Sequence, residues 1–327
     1  MKYLFLTLAL LTLTTFDTQA EVKLNIRLGV LKFGTVNWAL AVLKQQKLLD
    51  TGSIQLKPQT IANPQAGKVA LLSGAVDMIV ADWIWVSNQR AAGRDLSFVP
   101  YSNTAGALIV AKNSDIHSIK DLAGKRLGIA GGGLDKNWLL LQGLARKTYN
   151  IDLDKTTEKV FAAPPLLNQQ LLQGRLDALI TYWHYAARLE AQDFKRLLDG
   201  QTILNKLGVQ HPPPTLGYVF SESWAADKKH QLNQLFTATA QAKEAICNSE
   251  QSWQTVIPLT RTQQPAVLQS LRNRYCEGRI KHWGLPEKQA AEQTYQLLHQ
   301  AGNTALTQSS EHLQPGTFWP YEIPAPQ

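Results

Sequence analysis

The strongest constraint on this chain is a pattern that it uses twice. Leu71-Leu72-Ser73-Gly74-Ala75-Val76-Asp77-Met78-Ile79-Val80 returns 100 residues later as Leu171-Leu172-Gln173-Gly174-Arg175-Leu176-Asp177-Ala178-Leu179-Ile180. Each copy reads as the end of a helix, a Gly free to take the left-handed cap conformation, and an Asp at the start of a buried strand. Upstream, Leu28-Gly29-Val30 and Leu127-Gly128-Ile129 each lead through a Gly-containing loop to Asn-Trp, at Asn37-Trp38 and Asn137-Trp138. Two features in the same order at nearly the same offset imply two lobes built on one βαβαβ plan.

Short apolar runs alternating with longer helical patterns place both lobes in the α/β class, each a mostly parallel sheet flanked by helices. The spacing predicts strands over 22–31, 54–58, 76–81, 108–111, 126–130, around 160 and over 176–181. Helices are predicted over 37–46, 64–72, 137–147 and 166–172, and from about 228 to 300 the chain reads as mainly helical.

Met1-Lys2, the apolar run Tyr3 to Leu13 and the small residues of Thr18-Gln19-Ala20 read as a secretory signal peptide over residues 1–20. The run is short for a bilayer span, and Glu21 follows the expected cut where a lipidated protein would have Cys. The expectation is a free periplasmic protein. The net charge of +8 bears on solubility and encounter, not on a pocket. No basic block with interleaved aromatics points to nucleic acid.

Cys247 and Cys276 are the two cysteines of the chain. In an oxidising compartment such a pair is expected to form one disulfide, worth on the order of 3–4 kcal/mol in the chain-entropy picture; two buried free thiols are the alternative. Their spacing is not that of a redox or zinc motif. HExxH, GxSxG and P-loop patterns are missing, and the seven histidines show no metal-ligand spacing. No catalytic residue, metal or cofactor is expected.

Ligands of open parallel sheets bind beyond the carboxyl ends of the strands, where helix N-termini point their free N–H groups. The repeated strands end at Asp82-Trp83 and Tyr182-Trp183, so Trp83 and Trp183 are expected to close around one ligand.

Several segments resemble the nitrate/sulfonate/taurine class of ABC-transporter substrate-binding proteins. They are the Leu-Leu-Ser-Gly-x-Val-Asp pattern within 67–80, Gly106 to Lys112 followed by Ile119 to Gly128, and the 163–189 block with Leu-Leu-Gln-Gly-Arg-Leu-Asp-Ala. Enzymes making the thiamine pyrimidine share this fold, but their Cys-rich segment has no counterpart here. The resemblance implies a type II periplasmic-binding-protein fold with two hinge crossovers. Residues 21–104 plus 213–327 would form a discontinuous first lobe, and 105–212 the second. The outgoing crossover is placed at 102–105 and the return near Pro212-Pro213-Pro214.

Carried over position by position, the resemblance places ligand contacts in five regions. These are Asn37 and Trp38; Asp82 and Trp83; the outgoing crossover with Tyr101 and Thr104; the loop of Gly131, Gly132 and Gly133 with Asp135; and Tyr182, Trp183 and His184. Alternatives stay open at several of them. Trp38 would also serve to seat its helix, Asp135 to cap one, and His184 to fill a core. A carboxylate at Asp82 would repel a sulfonate or nitrate, which favours a planar or amine-bearing organic ligand; Asp82 capping a helix is the competing reading. The implied function is solute capture for a membrane permease and ATPase, with the chain acting as a monomer. A non-transport sensor, or an enzyme of pyrimidine synthesis on the same fold, is the alternative.

Overall fold

The computed structural model describes residues 23–49, 53–302, 304–308 and 310–323. The expected signal peptide and the first residue of the first predicted strand lie outside them. Among the described residues ten strands form two sheets of five. The first sheet has β1 (Leu24–Leu31), β2 (Ile54–Ile61), β3 (Met78–Ala81), β4 (Leu96–Ser102) and β10 (Leu216–Ser221) in the order β2-β1-β3-β10-β4. The second has β5 (Ala107–Ala111), β6 (Arg126–Ala130), β7 (Glu158–Ala162), β8 (Ala178–Thr181) and β9 (Phe194–Asp199) in the order β7-β6-β8-β5-β9. β10 and β5 run against their neighbours, and the other strands of each sheet share one direction. The two sheets thus repeat one topology, as the duplicated pattern requires.

The helices of two or more turns are α1 (Val36–Gln45), α2 (Pro64–Leu72), α3 (Trp83–Ala91), α4 (Lys136–Tyr149), α5 (Pro164–Leu172) and α6 (Trp183–Glu190). They continue with α7 (Gly200–Leu207), α8 (Lys229–Asn248), α9 (Glu250–Thr260), α10 (Pro265–Glu277) and α11 (Leu285–Gly302). The repeated junctions explain themselves locally. Gly74 and Gly174 sit at φ 72° and 68°, the left-handed conformation that ends α2 and α5 without a Cβ penalty. Asp77 and Asp177 then brace the first strand of each triplet. Asp77 accepts from the Arg27 backbone N–H at 2.8 Å and pairs with its guanidinium, and Asp177 does the same to Arg126.

Two crossovers join the sheets. The outgoing one runs from β4 to β5 through Asn103, Thr104 and Ala105; the return leads from α7 to β10 through the proline run. They are tied to each other by the Thr215 N–H donating to the Ser102 carbonyl at 2.9 Å. Beyond β10 the helical tail spans both units, since α8 and α9 pack on α1, α10 packs on α6 and α11 packs on α4. Between α10 and α6, Ser270 Oγ donates to the Ala187 carbonyl at 2.7 Å. Cys247 and Cys276 form a disulfide with a Cα separation of 5.7 Å, joining the end of α8 to α10 and leaving no free thiol. Among the described residues no helix is long and apolar enough to cross a membrane.

Candidate functional site

The N-termini of α3 and α4 face one another from the two units. Asp82 caps α3, its Oδ1 accepting the Trp85 N–H at 3.0 Å. Its Oδ2 lies 3.4 Å from Lys136 Nζ, on the first residue of α4, and 3.9 Å from Lys68 Nζ on α2. Burial pushes the Asp82 pKa up, but the two lysines and the cap hydrogen bond outweigh it and hold the carboxyl below its ordinary range. Lys68 is itself pulled down by burial, partly offset by Asp82, and its ammonium stands 5.0 Å from the Trp85 ring centre.

Asp135 caps α4, accepting the Trp138 N–H at 3.1 Å. Burial raises its pKa above the ordinary carboxylate value. The preceding loop brings Tyr182 into the same group. Gly131 has φ 90°, and a Cβ there would stand 3.2 Å from both Asp135 Oδ2 and the Tyr182 hydroxyl. Gly132 also takes a left-handed φ of 83°, and a Cβ on Gly133 would approach the Phe161 ring. Tyr182 remains 40% exposed, its hydroxyl pKa raised by burial and by Asp135. Asp82, Lys68, Lys136, Asp135, Tyr182 and the glycine loop therefore form one polar cluster across the cleft.

The other expected residues are placed elsewhere. Trp83 is 4% exposed and packs on Tyr295 and Phe318, with its Nε1–H donating to the Pro214 carbonyl at 2.9 Å. Trp183 is 8% exposed, and its ring lies 5.9 Å edge-on from Trp38, which also packs on Trp253 and Tyr275. The expected pair of indoles closing on a ligand is thus corrected. Trp83 and Trp183 belong to separate buried clusters, and Trp183 packs on Trp38 and Tyr275. The physical reason is one of phase: the cap residues Asp82 and Tyr182 stand at the cleft, and the first helical residue after each turns inward.

Asn37 staples its own loop, donating to the carbonyls of Leu31 and Gly34 at 2.8 and 3.0 Å. Tyr101 is buried beneath Lys243, whose ammonium donates to the Tyr101 carbonyl and whose pKa burial lowers to about 7. Thr104 shares a 2.9 Å hydrogen bond with Ser102. His184 packs beside Trp183 and Tyr185 with a buried, unpartnered Nδ1, and burial together with Arg188 lowers its pKa to about 4. Asp82 resolves to the capping reading with two cationic partners, so the repulsion of anions expected from it does not arise from a bare carboxylate. Sequence reasoning missed Lys68 and Lys136. The available signal was positional: Lys136 directly follows a residue at a helix start in the cleft, and Lys68 lies one turn into α2.

With this geometry in hand, comparison with known proteins is direct. Residues 53–252 match the family described as NMT1/THI5 like. The chain belongs to this family. Across 206 residues it is 29% identical to the putative aliphatic sulfonates-binding protein of Escherichia coli (strain K12). That match covers 61% of this chain and 62% of the relative's length. Among solved structures, the periplasmic aliphatic sulphonate binding protein SsuA from Escherichia coli aligns with a TM-score of 0.71 at 20% identity, over 93% of this chain and 94% of that one. The alkanesulfonate-binding protein SsuA from Xanthomonas axonopodis pv. citri, bound to MOPS, aligns at 0.66 and 17% identity, over 90% and 98%. These likenesses establish the two-lobed periplasmic-binding-protein fold for this NMT1/THI5-like chain.

Proposed function

We propose that this protein is the periplasmic solute-binding component of an ABC importer, capturing a small organic molecule between its lobes and handing it to a permease and ATPase. The observation that carries the reading is the Lys136–Asp82 ion pair, which joins the N-termini of α3 and α4 across the cleft at 3.4 Å. A contact of this kind belongs to a closed arrangement of two hinged lobes. Residues 21–104 with 213–327 form the first lobe in this reading and 105–212 the second. The sulfonate-binding proteins among the matched relatives support binding over catalysis.

The cluster places two lysines beside two carboxylates, one of which, Asp135, is shifted toward its neutral form. Such a site is matched by a ligand with both donors and acceptors, an amine-bearing organic molecule more than a simple oxyanion. The test is isothermal titration with taurine, ethanesulfonate, nitrate and an aminopyrimidine. Saturable heat with an amine-bearing member supports the reading, and tight binding of nitrate alone would overturn the ligand class. Loss of solute uptake on deletion of the protein tests the transport role.

A further inference from the structure

Among the described residues Lys243, on α8, is the only buried lysine or arginine, with 5% of its surface exposed. Its ammonium donates to the Tyr101 carbonyl and lies 4.2 Å from the Tyr101 ring centre and 5.8 Å from that of Tyr275. That carbonyl is its one hydrogen-bond acceptor among the described residues, so two N–H groups of the ammonium have no protein partner.

Lys243 lines a cavity of about 40 Å³, room for one or two groups of water size. The other charged residues of the lining are Glu244 and Arg279, and they pair with each other. Glu244 is more than half exposed and also accepts from Asn248 at 3.2 Å, so its charge is used at the surface. Two cations against one carboxylate leave a positive charge in excess, and it falls on the residue most withdrawn from solvent. The neighbouring tyrosines do not offset it. Burial raises the hydroxyl pKa of Tyr101, Tyr218, Tyr275 and Tyr321 above the ordinary phenol value, so all four stay neutral near pH 7. A buried ammonium in this position either loses its proton or gains a counter-ion. Burial and Arg279, partly offset by Glu244, bring its pKa to about 7, so the charged form is close at hand.

We propose that this cavity takes up one small inorganic anion of halide size, held by the Lys243 ammonium. The site stands apart from the cleft, since none of the Asp82, Lys136, Asp135 and Tyr182 group lines it, and it does not depend on what the cleft binds. Tyr101 is the last residue but one of β4, the strand from which the outgoing crossover departs. An anion that keeps Lys243 protonated therefore keeps α8 fastened to the backbone at the start of that crossover.

Bromide is the probe, with gluconate, too large for the cavity, as the control at matched ionic strength. Diffraction at the bromine absorption edge is expected to show an anomalous peak within hydrogen-bonding reach of Lys243 Nζ. In solution, bromide at about 0.1 M is expected to raise the thermal midpoint saturably by about 2 °C. Only the ammonium form binds, so a pKa of about 7 makes the half-saturating concentration about tenfold higher at pH 8 than at pH 6. Lys243→Met replaces the buried charge with an apolar chain of similar length and is expected to fold, losing both the peak and the bromide-specific rise. If that variant does not fold, the peak and the pH dependence of the unsubstituted protein decide. Absence of the peak overturns the proposal. So does a midpoint that rises equally in gluconate, a response that does not weaken from pH 6 to pH 8, or one that Lys243→Met retains.

Discussion

The two halves of this protein agree where they build the frame and differ where they face one another. Gly74 and Gly174 share the left-handed φ region, and Asp77 and Asp177 accept the same hydrogen bonds from the neighbouring strand. At the cleft the correspondence breaks. Asp82 stands opposite Tyr182 in the repeat, Lys68 opposite Asn168, and the Asn63 side chain caps α2 where Ala163 has no cap to offer α5. Residues kept in duplicate carry backbone constraints, which any copy of the plan must satisfy. Residues that differ carry local roles such as helix capping, and the polar cluster of the cleft is drawn from them.

His184 is the sharpest way to break this division, because it is unique to its half, taking the place of Ile84, yet it is half-buried beside Trp183 with its Nδ1 enclosed and is not part of the cleft cluster. Its pKa falls from 6.5 to about 4 on folding, so the unfolded chain binds more protons between those values. Stability is expected to drop as pH falls through that window, by up to about 3 kcal/mol, and His184→Ile is expected to flatten the profile measured by urea unfolding. An unchanged profile would remove the buried neutral imidazole from the account.

Asp77→Ala and Asp177→Ala test the shared frame. Each is expected to lower the thermal midpoint by about 2–4 °C, with the larger drop for Asp77, the less exposed of the two. Equal and negligible shifts would deny the junction its bracing role. At the cleft, Lys68→Asn imports the residue of the other half, and Lys136→Met removes the cross-lobe pair. Both are expected to weaken ligand binding on the order of tenfold in titration while leaving the melting temperature nearly unchanged. The smallest effect is expected from Gly74→Ala and Gly174→Ala, about 1 kcal/mol each by denaturant unfolding, since the positions are sterically open and only the positive φ resists a side chain.

Much of the frame was legible because its signals are local. Proline at the first position of α2, an Asn cap before it and a Gly after it bound that helix as expected, and β6 likewise covers Arg126–Ala130. β4 and β10 escaped notice because they are buried on both faces and show no alternation, and Pro100 within β4 disguises a strand. β9 mixes Lys and Arg into a half-buried run and carries no clear period. At the site, the turns after β3, β6 and β8 were legible from topology, since helix starts collect at strand ends. Which side chain of each turn faces the cleft was not, because a single residue of helical phase separates Asp82 from buried Trp83.

That adjacency has a mechanical outcome. Asp82 touches the opposite lobe, and the very next side chain holds the carbonyl of Pro214 in the returning linker. The residue that grips the opposite unit and the residue that grips the returning linker are therefore separated by one peptide bond, so a single helix start fastens both and neither contact can shift without loading the other.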